Sequence, residues 1–172
     1  NEVLGNVMQG NLDQLGPPEF TKEEKVYAKK YQDTLSRKDI ESAYSHAGID
    51  LVEGEVLAGS VVSGDTEPVD MGGSTDVADV SWVVPTVSLW GANYAIGTPF
   101  HSWQMTAQGK SSIAIKGMTH AAMVMAATGS DLMTKRHILD DAWSEHNKTI
   151  EKEGYMLPIS LCASPPVKDM AP

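Results

Sequence analysis

One histidine stands out among the residues of this 172-residue chain that could do chemistry. His101 lies in the stretch GTPFHSWQ, Gly97–Gln104, which follows an apolar run and a Gly-Thr-Pro turn. Loops that leave a strand often present catalytic or metal-binding side chains. Its imidazole could therefore bind a divalent metal, although a histidine at the end of a strand can also be chemically idle. The local pattern leaves both interpretations open.

A second polar cluster lies upstream in GGSTDVADVSW, 72–82. Ser74, Thr75 and Asp76 offer hydroxyl and carboxylate oxygens directly after two glycines. Such residues commonly cap the free amides at the start of a helix, here the short helix or turn predicted from Val77 to Val83. A carboxylate in this position can also hold a metal-binding imidazole in the required tautomer. The two roles are compatible, and the sequence does not choose between them.

Other familiar chemistries find little support. The chain has no HExxH or GxSxG motif, and no two of its histidines are spaced i, i+4. We interpret the remaining histidines as surface or satisfied core residues; they are His46, His120, His137 and His146. Cys162 is the sole cysteine, which excludes an internal disulfide and a cysteine-based zinc cluster. We therefore expect no catalytic residue in this chain.

Charge and hydropathy narrow the choice of partners and location. The formal charge of −10 argues against nucleic acid or an anionic membrane as a partner. No Lys or Arg occurs from Asp39 to Gly109, a stretch that is instead acidic, either as a solvated face or as a field favouring divalent cations. We expect no signal peptide and no membrane-spanning run, and the single cysteine fits a reducing compartment. We expect a cytoplasmic protein.

Apolar spacing and capping residues predict mostly helices. A strand is expected from Thr86 to Ala95, where β-branched and aromatic residues are dense. A small-residue stripe from Ala114 to Ala126 is expected to face the core, and the proline-rich tail should be irregular. The predicted helices are 1–15, 21–36, 38–47, 77–83, 111–129 and 132–153.

This order of elements predicts an α/β fold, with helices packed on a mixed sheet. The supply of strands is small for the number of apolar helix faces. We therefore expect a portion of a larger domain that is incomplete as a stand-alone unit. The chain also begins without Met, which fits a processed or excised piece.

Three blocks carry a resemblance to a known family: Gly73–Asp76, Asp79–Thr86 and Gly97–Gln104. With them, nearly the whole chain resembles the C-terminal part of a zinc metallopeptidase family that includes aminoacylases, carboxypeptidase G and plant auxin-conjugate hydrolases. The likeness is strongest to the aminobenzoyl-glutamate hydrolase B-subunit type. It implies that residues 1–18 form a helix at the exit from an inserted dimerisation or lid domain. Residues 19–172 would be the C-terminal half of the catalytic domain.

The resemblance also implies a chemistry. Members of this family hydrolyse amide bonds of N-acyl or peptide-like substrates at a two-metal site, where metal-bound water attacks the carbonyl and a glutamate acts as general base. His101 matches the last metal ligand, and zinc or manganese is the expected metal. Residues expected to contact substrate or orient the ligand are Ser74, Thr75, Asp76 and Thr98. The expected partners are a small-molecule amide and either further copies of the chain or a complementing chain.

The family's other ligands and its general base are missing from this sequence. There is no HxD motif, and the adjacent pair Glu23–Glu24 falls in the first turn of a predicted helix. A catalytic zinc needs about three protein ligands, so the chain alone should not hydrolyse amides. Two interpretations remain: part of an enzyme completed by another segment, or a non-catalytic remnant serving as a binding or scaffold module. The extent of the likeness disfavours an unrelated small domain.

Overall fold

The structure, a computed structural model, describes residues 1–66, 75–156, 159–160, 162–164 and 166. Within these ranges the chain forms seven α-helices joined by turns and irregular segments. None of the seven combines the length and apolar character needed to cross a membrane. In chain order the helices are α1 (Glu2–Leu15), α2 (Lys22–Gln32), α3 (Arg37–His46), α4 (Val77–Val83), α5 (Trp103–Gln108), α6 (Ser112–Thr134) and α7 (Arg136–Glu153).

The predicted strand Thr86–Ala95 is wrong, and so is the predicted α/β fold with a mixed sheet. No residue in the described part of the chain belongs to a strand, and 85–93 are irregular. β-Branched and aromatic residues favour strands, but a strand needs a neighbouring strand to satisfy its backbone groups. A backbone hydrogen bond from Ile96 N to Val56 O (3.0 Å) joins two irregular segments, and no ladder extends from it.

The predicted capping box of α2 is confirmed, and two further helices begin with capping side chains that were not predicted. Asn1 caps α1 by accepting a hydrogen bond from the backbone N–H of Leu4 at 3.1 Å. Thr21 and Glu24 form the predicted capping box at the start of α2. A second capping box, between Ser36 and Asp39, begins α3. Each box satisfies two backbone donors that would otherwise lack partners.

Several predicted boundaries are wrong, although the helices themselves exist. α6 runs through Gly129 to Thr134, because one glycine costs a helix only about 1 kcal/mol and the turns on both sides continue. α7 accordingly begins at Arg136 instead of Leu132. α2 ends at Gln32, four residues before its predicted end. The six-residue helix α5 was not predicted from the sequence.

The core lies where α1 packs on α6 and α7, and where α2 meets the irregular segments. A buried cluster consists of Ala28, Val56, Leu57, Ala95 and Ile113. The face of α6 that is buried contains Ile113, Gly117, Val124 and Thr128. The predicted core stripe of α6 is therefore wrong: its Met118 and Met125 are 61% and 59% exposed.

Gly117 brings α6 into close contact with the irregular segment that precedes the His101 loop. A Cβ at this position would lie 2.4 Å from the Ala92 carbonyl oxygen and 2.7 Å from Asn93 Oδ1. Real Cβ atoms do not approach other atoms so closely, so the segment and the helix could not both keep their positions. The absence of a side chain at Gly117 thus sets the distance between α6 and this segment.

We expect Gly117→Ala to lower the free energy of unfolding by about 1–3 kcal/mol, because the added methyl group overpacks the contact with Ala92. The matched control is Gly129→Ala in the same helix, where an added Cβ meets nothing within 4 Å. That change should raise the free energy of unfolding by about 0.5–1 kcal/mol through helix propensity. Urea unfolding measures both, and equal effects of the two substitutions would contradict this packing.

An ion pair joins α2 to α6 at the edge of the core. Lys116 Nζ lies 2.7 Å from Glu24 Oε2, whose side chain is 9% exposed. Burial alone would raise the pKa of Glu24, but hydrogen bonds from Lys116, Ser112 and the backbone N–H of Thr21 lower it to about 2. One carboxylate therefore caps α2 and also ties it to α6.

This pKa predicts a specific loss of stability in acid. The folded pKa of Glu24 (about 2) lies below its ordinary value of 4.5. Its contribution is therefore present above pH 4.5 and lost as the pH falls from about 4.5 to 2. Glu24→Gln should flatten the decrease of stability over this window, measured by urea unfolding at several pH values. Glu151→Gln, an exposed position of α7, should keep the wild-type profile, and parallel profiles for wild type and Glu24→Gln would contradict the assignment.

Candidate functional site

The loop that carries His101 begins with a glycine that no other residue could replace without strain. Gly97 has a φ of 90°, in the region that favours glycine. A Cβ there would also lie 2.9 Å from both Cα and Cγ1 of Ile40 in α3. The start of the loop is thus fixed against α3 by backbone conformation and by close packing.

A buried glutamine holds the inside of the loop. Gln108, at the end of α5, is 1% exposed and accepts a hydrogen bond from the backbone N–H of Ala95 at 2.8 Å. Its amide nitrogen donates to Thr98 Oγ1 at 3.1 Å and to the Gln104 carbonyl at 3.1 Å. The Thr98 hydroxyl in turn donates to the Ala95 carbonyl at 2.7 Å. These bonds close residues 95–108 into a fixed unit.

Thr98 was expected to contact substrate or orient the metal ligand. The structure buries this side chain and commits its hydroxyl to the two hydrogen bonds inside the loop. Its observed contacts therefore position the backbone that leads to His101. The role of Thr98 towards a substrate stays a prediction.

His101 lies at the exposed tip of the loop in a strained conformation. It is the one non-glycine residue with a positive φ (58°) in the described part of the chain. Left-handed backbone costs an L-residue roughly 1–2 kcal/mol, and such strain is concentrated at functional sites. Ser102 supports the turn by donating to the Pro99 carbonyl at 2.7 Å and capping α5 through Met105 N at 3.2 Å. The ring of His101 forms no hydrogen bond with the described residues, which leaves it available for a ligand.

The upstream polar cluster lies at the start of α4. Thr75 Oγ1 accepts a hydrogen bond from the backbone N–H of Val77 at 3.3 Å, as a capping residue would. Asp76 is the N-cap residue but makes no capping hydrogen bond through its side chain, and it is exposed. Ser74 lies outside the described residues. No hydrogen bond or ion pair among those residues joins Thr75 or Asp76 to His101, so their expected roles towards it stay predictions.

Aromatic side chains flank His101 on both sides in the sequence. Phe100 packs against Trp90, with ring centroids 5.5 Å apart, and edge-on against Tyr94 at 6.2 Å. Burial raises the pKa of Tyr94. On the other side, Trp103 packs against Tyr31 of α2 at 6.3 Å. Sequence reasoning missed this grouping, although the aromatic residues on both sides of His101 in GTPFHSWQ were a usable signal.

The described residues do not by themselves make a metal site. Within them, no group of three or more His, Cys, Asp or Glu side chains could hold a metal ion. Several carboxylates of the acidic stretch instead have local structural partners. Glu53 pairs with Arg37 at 2.6 Å, and Glu55 accepts a hydrogen bond from the Tyr44 hydroxyl at 2.6 Å. This arrangement favours the interpretation of the stretch as a structural and solvated face.

A cavity of about 490 Å³ lies between α1 and the irregular segments 58–66 and 87–92. Its lining is mainly apolar and includes Trp90 and the half-buried His120. His120 Nε2 lies 2.6 Å from the Gly16 carbonyl oxygen, so this nitrogen donates the hydrogen bond. The histidine is satisfied by the end of α1, in agreement with its interpretation as a structural residue.

Comparison with known proteins identifies one informative relative. The chain is 35% identical, over 96% of its length, to the B-subunit of p-aminobenzoyl-glutamate hydrolase from Escherichia coli strain K12. The resemblance to the aminobenzoyl-glutamate hydrolase B-subunit type is confirmed. The chain spans 36% of that relative's length, consistent with a C-terminal part of such a protein. No protein-family model matches the sequence. No solved structure matches it either.

We expect Gln108→Leu to destabilise the fold by about 2 kcal/mol, since the buried N–H of Ala95 and the Thr98 hydroxyl would lose their partner. The loop should open locally, which amide hydrogen exchange at Ala95 would report. The control is Gln14→Leu on the exposed face of α1, which should stay within about 0.5 kcal/mol of wild type. Unchanged protection of Ala95 in Gln108→Leu would show that the glutamine does not hold the loop.

Proposed function

We propose that this chain is the C-terminal segment of a metal-dependent amidohydrolase. The complete enzyme would hydrolyse an N-acyl amino acid or an aminobenzoyl-glutamate-like amide. The observation that carries the proposal is the 35% identity over 96% of the chain to a protein named as the B-subunit of p-aminobenzoyl-glutamate hydrolase. The His101 loop supports it independently, because a strained and exposed histidine is held there by buried hydrogen bonds.

In this proposal His101 is one ligand of a divalent metal, zinc or manganese, and the loop network sets its position. The bound metal would supply Lewis-acid chemistry to the amide. The described residues offer no set of three ligands, so in this proposal the remaining ligands and the general base would come from a completing segment. The chain by itself would then be inactive. Its partners would be the amide substrate and either a complementing chain or further copies of itself, in the cytoplasm.

The alternative is a non-catalytic remnant that acts as a binding or scaffold module. It is favoured by the same finding that no group of potential metal ligands lies together in the described residues. It predicts a stable chain that no companion segment activates. The two functions therefore differ in whether a completing segment restores amide hydrolysis.

The test is complementation. The chain is co-expressed with the part of the Escherichia coli relative that it does not match, zinc or manganese is added, and hydrolysis of 4-aminobenzoyl-glutamate is measured. We expect activity only when both parts are present. His101→Ala should lower kcat/KM at least about 100-fold, since loss of a ligand should exceed the 10–100-fold cost typical of its supporting residues.

The matched control is His137→Ala, an exposed histidine of α7, which should retain wild-type activity. Elemental analysis of the purified complex gives a second measurement, because His101→Ala should also lower its bound zinc or manganese. Absence of activity in every mixture would reject the enzymatic function and favour the binding module. Full activity of His101→Ala would reject the assigned ligand.

A further inference from the structure

We propose that Trp90 and Phe100 form an aryl-binding surface that selects substrates by their acyl group. The inference rests on the proposed amidohydrolase function and deepens it by assigning part of its specificity. It concerns the aromatic ring on the acyl side of the scissile amide. The amino-acid side of the substrate would be recognised elsewhere.

The side chains of Trp90 and Phe100 are exposed and adjoin each other. Trp90 is 64% exposed and Phe100 is 49% exposed, although their ring centroids lie only 5.5 Å apart. The two rings are inclined by 58°, and Tyr94 covers Phe100 from a further side at 6.2 Å. An adjoining pair of large exposed aromatic side chains is a typical feature of a binding surface. A third ring could pack against it in the offset or edge-on geometry that aromatic groups prefer.

The backbone segments that carry the two aromatic side chains are held in place before any ligand binds. Phe100 directly precedes His101 in the loop that Gln108 and Thr98 hold together. Trp90 directly precedes Gly91, in the segment that Gly117 allows to pack closely on α6. Both backbones are therefore fixed by contacts separate from the aromatic side chains. A surface that is already in place loses less entropy when a ligand binds.

The stretch of sequence that contains the aromatic pair is almost free of charged side chains. No Asp, Glu, Lys or Arg occurs from Val80 to Gly109, so the sequence around the aromatic pair carries no charged side chain apart from the ionisable His101. Such an uncharged stretch suits a neutral aryl group better than a carboxylate. An aryl group next to the residue assigned to the reacting centre would belong to the acyl side of the amide. The pair would therefore contact the acyl group of the substrate and not its glutamate group.

The test compares two substrates that differ only in the acyl group, 4-aminobenzoyl-glutamate and N-acetyl-glutamate. In the complemented enzyme, Trp90→Leu and Phe100→Leu should each lower kcat/KM for the aryl substrate by about 3- to 10-fold, the size of an aromatic pair interaction. The value for N-acetyl-glutamate should change by less than about 2-fold, because its acyl group carries no ring to pack on the pair. Trp143→Leu, at a half-exposed tryptophan in α7, should leave both values unchanged.

Equilibrium dialysis of the same two compounds, with the chain alone and with the complex, measures binding without hydrolysis. We expect weaker binding of 4-aminobenzoyl-glutamate by Trp90→Leu and no change for N-acetyl-glutamate. If the complex hydrolyses neither compound but this selective loss is seen, the proposed function fails and the aryl surface stands. Equal losses for both compounds, or no aryl preference in the wild-type protein, would overturn the aryl surface. If both compounds show equal losses and the variant complex also melts at a lower temperature, the aromatic pair is a contact with the completing segment.

Discussion

The buried side-chain amides of Gln32 and Gln108 hold together parts of the chain that no sheet supports. Gln32 donates to the carbonyl oxygens of Glu55 (2.9 Å) and Ile96 (3.4 Å), and Gln108 accepts from the N–H of Ala95 (2.8 Å). A buried backbone group without a partner costs free energy comparable to a lost hydrogen bond. Helical side chains here satisfy groups that neighbouring strands satisfy in a sheet. The irregular segments can therefore enter the core of a helical fold.

The position of His101 depends on this arrangement. Ala95 and Ile96 are held by the two glutamines, Gly97 packs on α3, and Thr98 closes the loop from inside. The left-handed backbone of His101 is then an unfavourable conformation in a loop that buried hydrogen bonds hold in place. Strain persists only where the surroundings determine the conformation more strongly than the residue opposes it. The surrounding contacts determine the conformation of this loop, and the backbone strain lies at His101, the residue proposed to bind metal.

Local signals in the sequence were enough to find six of the seven helices in the described part of the chain but not their packing. The capping box at Thr21 depends on residues three apart, so the start of α2 could be predicted. The strand prediction was wrong, because the β-branched residues of 86–95 favour an extended backbone but do not supply the neighbouring strand that a sheet requires. The sequence pattern and the family resemblance both pointed to the His101 loop, and the metal-binding role of His101 stays a prediction. Gln108 was missed because its partners, Ala95 and Thr98, are chosen by tertiary contacts.

The exposed apolar groups of the chain bear on how a completing segment would act. α4 buries no residue of its own, and Val77, Val80 and Val83 are about half exposed. α6 likewise exposes Met118 and Met125 outside its buried face. In the proposed enzyme these two helix surfaces are where additional chain would pack, removing apolar area from water. The His101 loop is already held by contacts within this chain, from Gln108 and Thr98 inside the loop and from α2 and α3 outside it. Completion of the fold would thus bring further ligands to a histidine that is already in place.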